Sequence, residues 1–223
     1  MYEYSSFEEY FYEIKKIWQK LNHKNYIIPF CTPMKLNPKF LVIGMNHSKF
    51  SNVDSQNENI SKTFSLEIPK INTFIEHNHT FADGLKKTIN NLNIKLNNFD
   101  REINDDWIGT NRCAIQTDSS GLDSLKAHPM FHECQNEMDK VLKSLIRYMK
   151  PKNIILAGNY ASNLYYAGDL KMKNLISKKI IINKISKETT NLIPIWHFSY
   201  YNMFKKEIVS RFEDSINKNL CEY

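Results

Sequence analysis

The chain has 223 residues, 42% hydrophobic and 13% aromatic, with a formal net charge of +6 and a pI near 9.0; this suffices for one sizeable core, and the excess of lysine suits a polyanionic partner without identifying it. No apolar run approaches the length of a bilayer span, and the N-terminus is acidic and aromatic, unlike a leader. The four cysteines, Cys31, Cys113, Cys134 and Cys221, form no close pair, which excludes a disulfide scaffold or a zinc ribbon, so the expectation is one soluble, cytoplasmic domain over residues 1–223 with no membrane contact.

Residues 5–22 carry Phe7, Tyr10, Phe11, Ile14, Ile17, Trp18 and Leu21 at three- and four-residue spacings, with Ser5 or Ser6 as cap and Glu8 and Glu9 in the first turn. That pattern predicts an amphipathic helix. After Pro38, the run 40–43 reads as a buried strand ending in a turn at Gly44, with Met45, Asn46, His47 and Ser48 at its lip. Residues 49–106 form a long asparagine-rich stretch, an elaboration over the sheet edge in which 81–97 can be helical.

A second strand is predicted over 107–117 and a third over 152–157. Between them, 134–149 places Met138, Val141, Leu142, Leu145, Ile146 and Met149 on one helical face, and the Pro151-Lys152 pair ends that helix. Gly158 turns the chain into a further helix over 160–166; 179–185 is an apolar β-branched run, 193–196 a strand ending at His197, and 203–220 a helix by its Phe204, Ile208, Phe212 and Ile216 spacing. Alternating strands and helices predict an α/β fold, a three-layer α/β/α arrangement around a mainly parallel four-stranded sheet. If the strands at 40–43 and 193–196 are parallel neighbours, Asn46 and His197 face each other across the carboxyl edge, where open α/β sheets bind ligands.

The order of these signals resembles the uracil-DNA glycosylase superfamily over roughly residues 38–218. Gly44-Met45-Asn46 resembles the first motif of the single-strand-selective and mismatch-specific branches, in which asparagine replaces the aspartate used elsewhere. Thr110-Asn111 resembles the second-strand pair; the stretch 149–161, with its proline-lysine pair, strand and Gly158 turn, resembles the third block; and the run 193–200 resembles the last motif, with its histidine. Cleaving an N-glycosidic bond in DNA requires an extruded base, a pocket for its edge, a wedge and phosphate contacts.

The resemblance implies a fold and a set of roles. Asn46 would orient the attacking water and His197 would hydrogen-bond the departing anionic base. Asn111 would read the base edge, with Gln116 as the alternative. Gly44, Met45, His47 and Ser48 would line the pocket with a stacking aromatic, Phe64, for which Phe50 and Phe81 are the other candidates. Gly158, Asn159, Ser162, Ser199, Tyr200 and Tyr201 would contact DNA, and Tyr200, Tyr201 or Met203 would fill the gap left by the base. The enzyme implied is a monomeric, monofunctional DNA glycosylase without cofactor, acting on duplex or single-stranded DNA.

The sequence departs from the family pattern at two places. His47-Ser48 stands where proline with glycine or an aromatic residue is usual, and Phe198 replaces the proline after the histidine. A small Ser48 before 49–106 predicts tolerance of 5-substituents, so a second reading is excision of a bulky hypermodified base, such as glucosylated hydroxymethylcytosine, in defence against phage. A third is a DNA-binding protein that has kept the fold and lost catalysis. Each site also has an ordinary reading: asparagine after glycine is a common turn residue, and a strand-end histidine is commonly structural. The iron–sulfur branch has two cysteines near the positions of Cys113 and Cys134, but only Cys31 precedes the first strand, which leaves a four-thiolate cluster short of a ligand. His128, His132 and Cys134 likewise lack a fourth zinc ligand, so no metal is expected.

Overall fold

Strand β1, Phe40–Gly44, is buried at every position, as a strand must be when helices cover both faces of its sheet. The computed structural model describes residues 3–21, 27–30, 32–45, 80–95, 107–115, 117, 122–166, 181–185 and 188–220. In it β1 pairs in parallel with β2, Trp107–Asn111, on one side and with β3, Asn153–Ala157, on the other. Strand β5, Glu188–Ile195, lies parallel to β3. The four form an all-parallel sheet in the order β2-β1-β3-β5, so the strands at 40–43 and 193–196 run parallel but β3 stands between them, and the condition that they be direct neighbours is not met.

The four-stranded expectation is also exceeded. The run at 179–185 supplies β4, Ile181–Ile185, which joins the outer edge of β5 antiparallel. Only residues 186–187 separate the two strands, too few for the crossover that a parallel pair needs.

Alternation along the strands sends successive side chains to opposite faces, and each face builds its own core. Leu41, Ile43, Ile108, Ile154, Leu156 and Leu192 pack with α1, Phe7–Leu21, and with α4, Phe131–Met149. Phe40, Val42, Ile155, Ala157, Ile193 and Ile195 pack with α2, Thr80–Lys95, and α6, Tyr201–Leu220. Two short helices, α3 at Asp123–Lys126 and α5 at Asn159–Ser162, complete the helical elements among the described residues, apart from a 3₁₀ turn at Phe198–Tyr200 that leads into α6. No described helix is long and apolar enough to cross a membrane.

Candidate active site at the carboxyl edge of the sheet

Because the four strands run the same way, their ends deliver Gly44, Asn111, the residue after Ala157 and the residues after Ile195 to one edge. Gly44 sits in register with Asn111, and its lack of a side chain is required there. A Cβ on Gly44 would collide with Asn111 Oδ1 and would lie 3.8 Å from Cε2 of Phe81. Asn111 is only 4% exposed, so its amide is held against the β1 terminus.

On the other side, Gly158 has φ 90°, a conformation natural to glycine and strained for other residues. A Cβ there would be 3.3 Å from the Cβ of His197 and 3.6 Å from its Cδ2, so the imidazole rests against a bare backbone. The Gly158 N–H donates to the Ile195 carbonyl at 2.9 Å. Between the glycines stands Phe81, its ring 5.0 Å from that of His197 and 5.1 Å, edge-on, from Phe198. Asn111, Gly44, Phe81, His197 and Gly158 are thus linked by successive contacts along one edge.

His197 Nδ1 accepts the Ser199 N–H at 3.4 Å. With Nδ1 an acceptor, the neutral ring carries its proton on Nε2, the tautomer inferred from this network. The loop that follows is pinned from beneath. Gly84 of α2 packs so closely on Phe198 that a Cβ would meet the Phe198 carbonyl oxygen and lie 2.8 Å from its carbon. Tyr201 is buried and accepts a hydrogen bond from Asn91 Nδ2 at 2.7 Å. Trp196 stacks on Phe204 at 4.1 Å and 11°, where α6 leaves helical geometry. Between these anchors Tyr200 and Met203 are 53% and 74% exposed.

The expected site residues fall into four groups. Gly44, Asn111, Gly158 and His197 share the edge just described; Met45 borders it, its carbonyl accepting the Cys113 N–H at 3.0 Å. Asn159, Ser199 and Tyr200 are exposed near it. Two expectations are corrected: Tyr201 belongs to the core with its hydroxyl occupied by Asn91, and Ser162 is fully buried, so neither offers a side chain to DNA. Asn46, His47, Ser48, Phe64 and the alternatives Phe50 and Gln116 lie outside the described residues, and Phe81 is the aromatic candidate found at the edge.

Sequence reasoning missed Gly84 and a polar cluster beside Asn111. A glycine inside the helical pattern of 81–97 was the available signal, since it costs helix stability unless something packs there. In the cluster, Arg112 forks onto Asp139 through Nε–Oδ1 at 2.9 Å and Nη2–Oδ2 at 2.6 Å. Burial pulls the Arg112 pKa down, but the hydrogen bonds and charge of Asp139 outweigh it and the net shift is upward. Its guanidinium remains charged. Burial pushes the Tyr160 hydroxyl well above its ordinary range and the Cys113 thiol up to about 12. Cys113 and Cys134 are buried free thiols, each 3.9 Å from a backbone carbonyl, that of Ile115 and of Ile17 respectively. Among the described residues no group of three His, Cys, Asp or Glu side chains could hold a metal ion.

No protein-family model and no curated protein matches this chain. The chemistry therefore has to be argued from the edge itself. It offers an amide able to donate and accept, an imidazole, a buried aromatic face, and two glycines that let the amide and the imidazole close on the backbone. A depression of about 410 Å³ runs along α1 and is lined by Glu3, Glu9 and Glu13 with Tyr4, Tyr12 and Lys16. Its carboxylates oppose a phosphate backbone, so the sheet edge is the better candidate for an anionic polymer.

Proposed function

We propose that the protein is a DNA glycosylase of the uracil-DNA glycosylase type, hydrolysing the N-glycosidic bond of an extruded uracil or modified pyrimidine with water and no cofactor. The observation that carries this reading is the pair of glycine clearances at one sheet edge, Gly44 beneath Asn111 and Gly158 against His197, with Phe81 between them. A planar base needs an amide for its edge and an aromatic face, and the two glycines let Asn111 and His197 close on the backbone beside that face. The C1′–N bond breaks with its electron pair going to the base, and a water oxygen bonds to C1′ and releases its proton to solvent. Asn46, an amide and not a base, orients that water; His197 Nε2–H stabilises the charge on the leaving base. Exposed Tyr200 and Met203 enter the space vacated in the duplex, and Asn159, Ser199 and nearby lysines meet phosphates.

Single-turnover excision tests it. His197→Ala and Asn46→Ala should each slow release of the base by roughly a hundredfold or more, the range for loss of a positioned acid–base or oxyanion partner, with folding and DNA affinity little changed. Near wild-type rates in both variants would remove the assignment. The departure at His47-Ser48 favours a wider pocket, so the panel should include uracil, thymine, 5-hydroxymethylcytosine and its glucosylated form. Release of uracil alone would exclude the enlarged pocket, whereas release of the glucosylated base alone would favour a role in phage defence.

A further inference from the structure

We propose that Arg112, together with Asp139, Gln135 and Tyr160, is a positioning device that holds Asn111 in fixed relation to the 158–162 turn, so that base selection and turn geometry are set together. The inference rests on reading Asn111 as the residue that meets the base edge. Arg112 directly follows Asn111, and its polar groups are engaged all round. Its N–H donates to the Gly44 carbonyl at 3.0 Å, and its carbonyl accepts from Gln135 Nε2 at 3.5 Å. Nη1 donates to the Tyr160 carbonyl at 2.7 Å, while Nε and Nη2 grip Asp139. The guanidinium also lies over the Tyr160 ring, 4.6 Å from its centroid.

The remaining members close the circuit. Tyr160 donates its hydroxyl proton to Gln135 Oε1 at 2.6 Å, and Gln135 Nε2 donates to Asp139 Oδ1 at 2.9 Å. Strands β2 and β3 are not neighbours, since both pair with β1. The link from Arg112, just after β2, to Tyr160, in the turn after β3, therefore spans the end of β1, where the first motif leaves the sheet. Sheet register alone would hold the strands; what the network adds is a fixed orientation for the residue that follows Asn111. With side chains only 11% and 15% exposed, Arg112 and Asp139 form a two-pronged pair shielded from water, whose strength depends on geometry as well as charge. Lysine keeps the charge but lacks the planar fork that meets both carboxylate oxygens side by side while a further N–H reaches the carbonyl.

The test uses the full chain carrying Arg112→Lys or Tyr160→Phe, with two readouts. The first is the side-chain amide signal of Asn111 in nitrogen-15 NMR, assigned with Asn111→Asp, which needs no enzymatic activity. The second is binding to oligonucleotides containing uncleavable 2′-fluoro-deoxyuridine or 2′-fluoro-deoxycytidine. We expect the Asn111 amide pair to shift and broaden in Arg112→Lys, with discrimination between the two bases falling about tenfold or more, and a smaller change in Tyr160→Phe, which leaves the fork to Asp139 in place. Should Arg112→Lys fail to fold, the amide shift in Tyr160→Phe decides. An unchanged Asn111 amide in a folded variant, or lower stability with intact discrimination, would overturn the proposal. A wild-type protein that neither cleaves nor discriminates, yet shows the amide perturbation in the variants, would retire the glycosylase reading and leave the positioning role standing.

Discussion

Replacing Gly84 with alanine separates two opposing effects that the structure allows to be weighed. In the interior of a helix the change is ordinarily stabilising by about 1 kcal/mol. Here the added methyl would lie 2.8 Å from the Phe198 carbonyl carbon and closer still to its oxygen, against an optimum of about 3.5–4.0 Å for such contacts. One backbone must retreat by roughly an ångström, and overpacking of this kind costs about 1–3 kcal/mol. The net expectation is a loss of about 0–2 kcal/mol, or a fall in melting temperature of up to roughly 8 °C for a chain of this length. The consequence for the site should be larger, because Phe198 is the next residue after His197 and a misplacement of about 1 Å can cost about a hundredfold in rate. Urea denaturation and single-turnover excision, run side by side, measure both. A Gly84→Ala protein stabilised by about 1 kcal/mol with full activity would refute the close packing of α2 beneath the histidine loop.

Further outcomes follow from neighbouring features. Gly44→Ala should displace the Asn111 amide, lowering stability by about 1–3 kcal/mol and blunting base discrimination; an unchanged denaturation midpoint would show that the contact is slack. Alkali should destabilise the fold. The Cys113 thiol ionises near its ordinary 9.0 when unfolded but at about 12 when folded, so the unfolded state sheds the proton first and stability falls as pH rises from 9 towards 12. The slope is up to about 1.4 kcal/mol per pH unit. Tyr160, Tyr165 and Tyr166, all raised by burial, add to it above their ordinary 10.0, and Cys113→Ala should flatten the urea midpoints between pH 9 and 10; a profile identical to wild type would argue against thiol burial. Truncating Tyr200 and Met203 to alanine should impair excision from duplex more than from single strands, since only the duplex must be unstacked; equal losses would assign them a different role.

Much of the fold was legible because burial left a period in the sequence. The helical spacing of Met138, Val141, Leu142, Leu145 and Met149 marks the core face of α4, and the unbroken apolar runs mark β1 and β3. The start of β5 was hidden for a chemical reason. Thr190 and Asn191 lie before the strand predicted at 193–196, yet both are buried in β5, Thr190 Oγ1 donating to the Pro151 carbonyl at 3.1 Å and Asn191 Nδ2 to Asn153 Oδ1 at 2.9 Å. Polar residues that satisfy each other inside a sheet erase the pattern that reveals apolar ones. At the site, His197 was marked by the end of its predicted strand, a local property, whereas Asn111, inside the strand predicted over 107–117, was singled out by the family resemblance alone. Arg112 and Asp139 are 27 positions apart, and Gly84 meets Phe198 across more than half the chain, so only the fold brings them together.

The division of the interior into two cores fixes the order in which the site comes into being. The layer formed by α1 and α4 draws on segments that, apart from Leu192 of β5, have all been synthesised soon after β3, and so can close early on β1, β2 and β3. The opposite layer cannot. Phe40, Val42, Ile155 and Ala157 wait for β5 and α6, and until β5 arrives one hydrogen-bonding edge of β3 is open, a template for any stray strand. As domains fold from the N-terminus while the ribosome proceeds, a nascent chain of this protein passes through a half-covered stage with a sticky face and a bare edge. Chaperone dependence and aggregation during expression should accordingly track defects in β5 and α6, the same segments that deliver and brace His197, more closely than defects in α1.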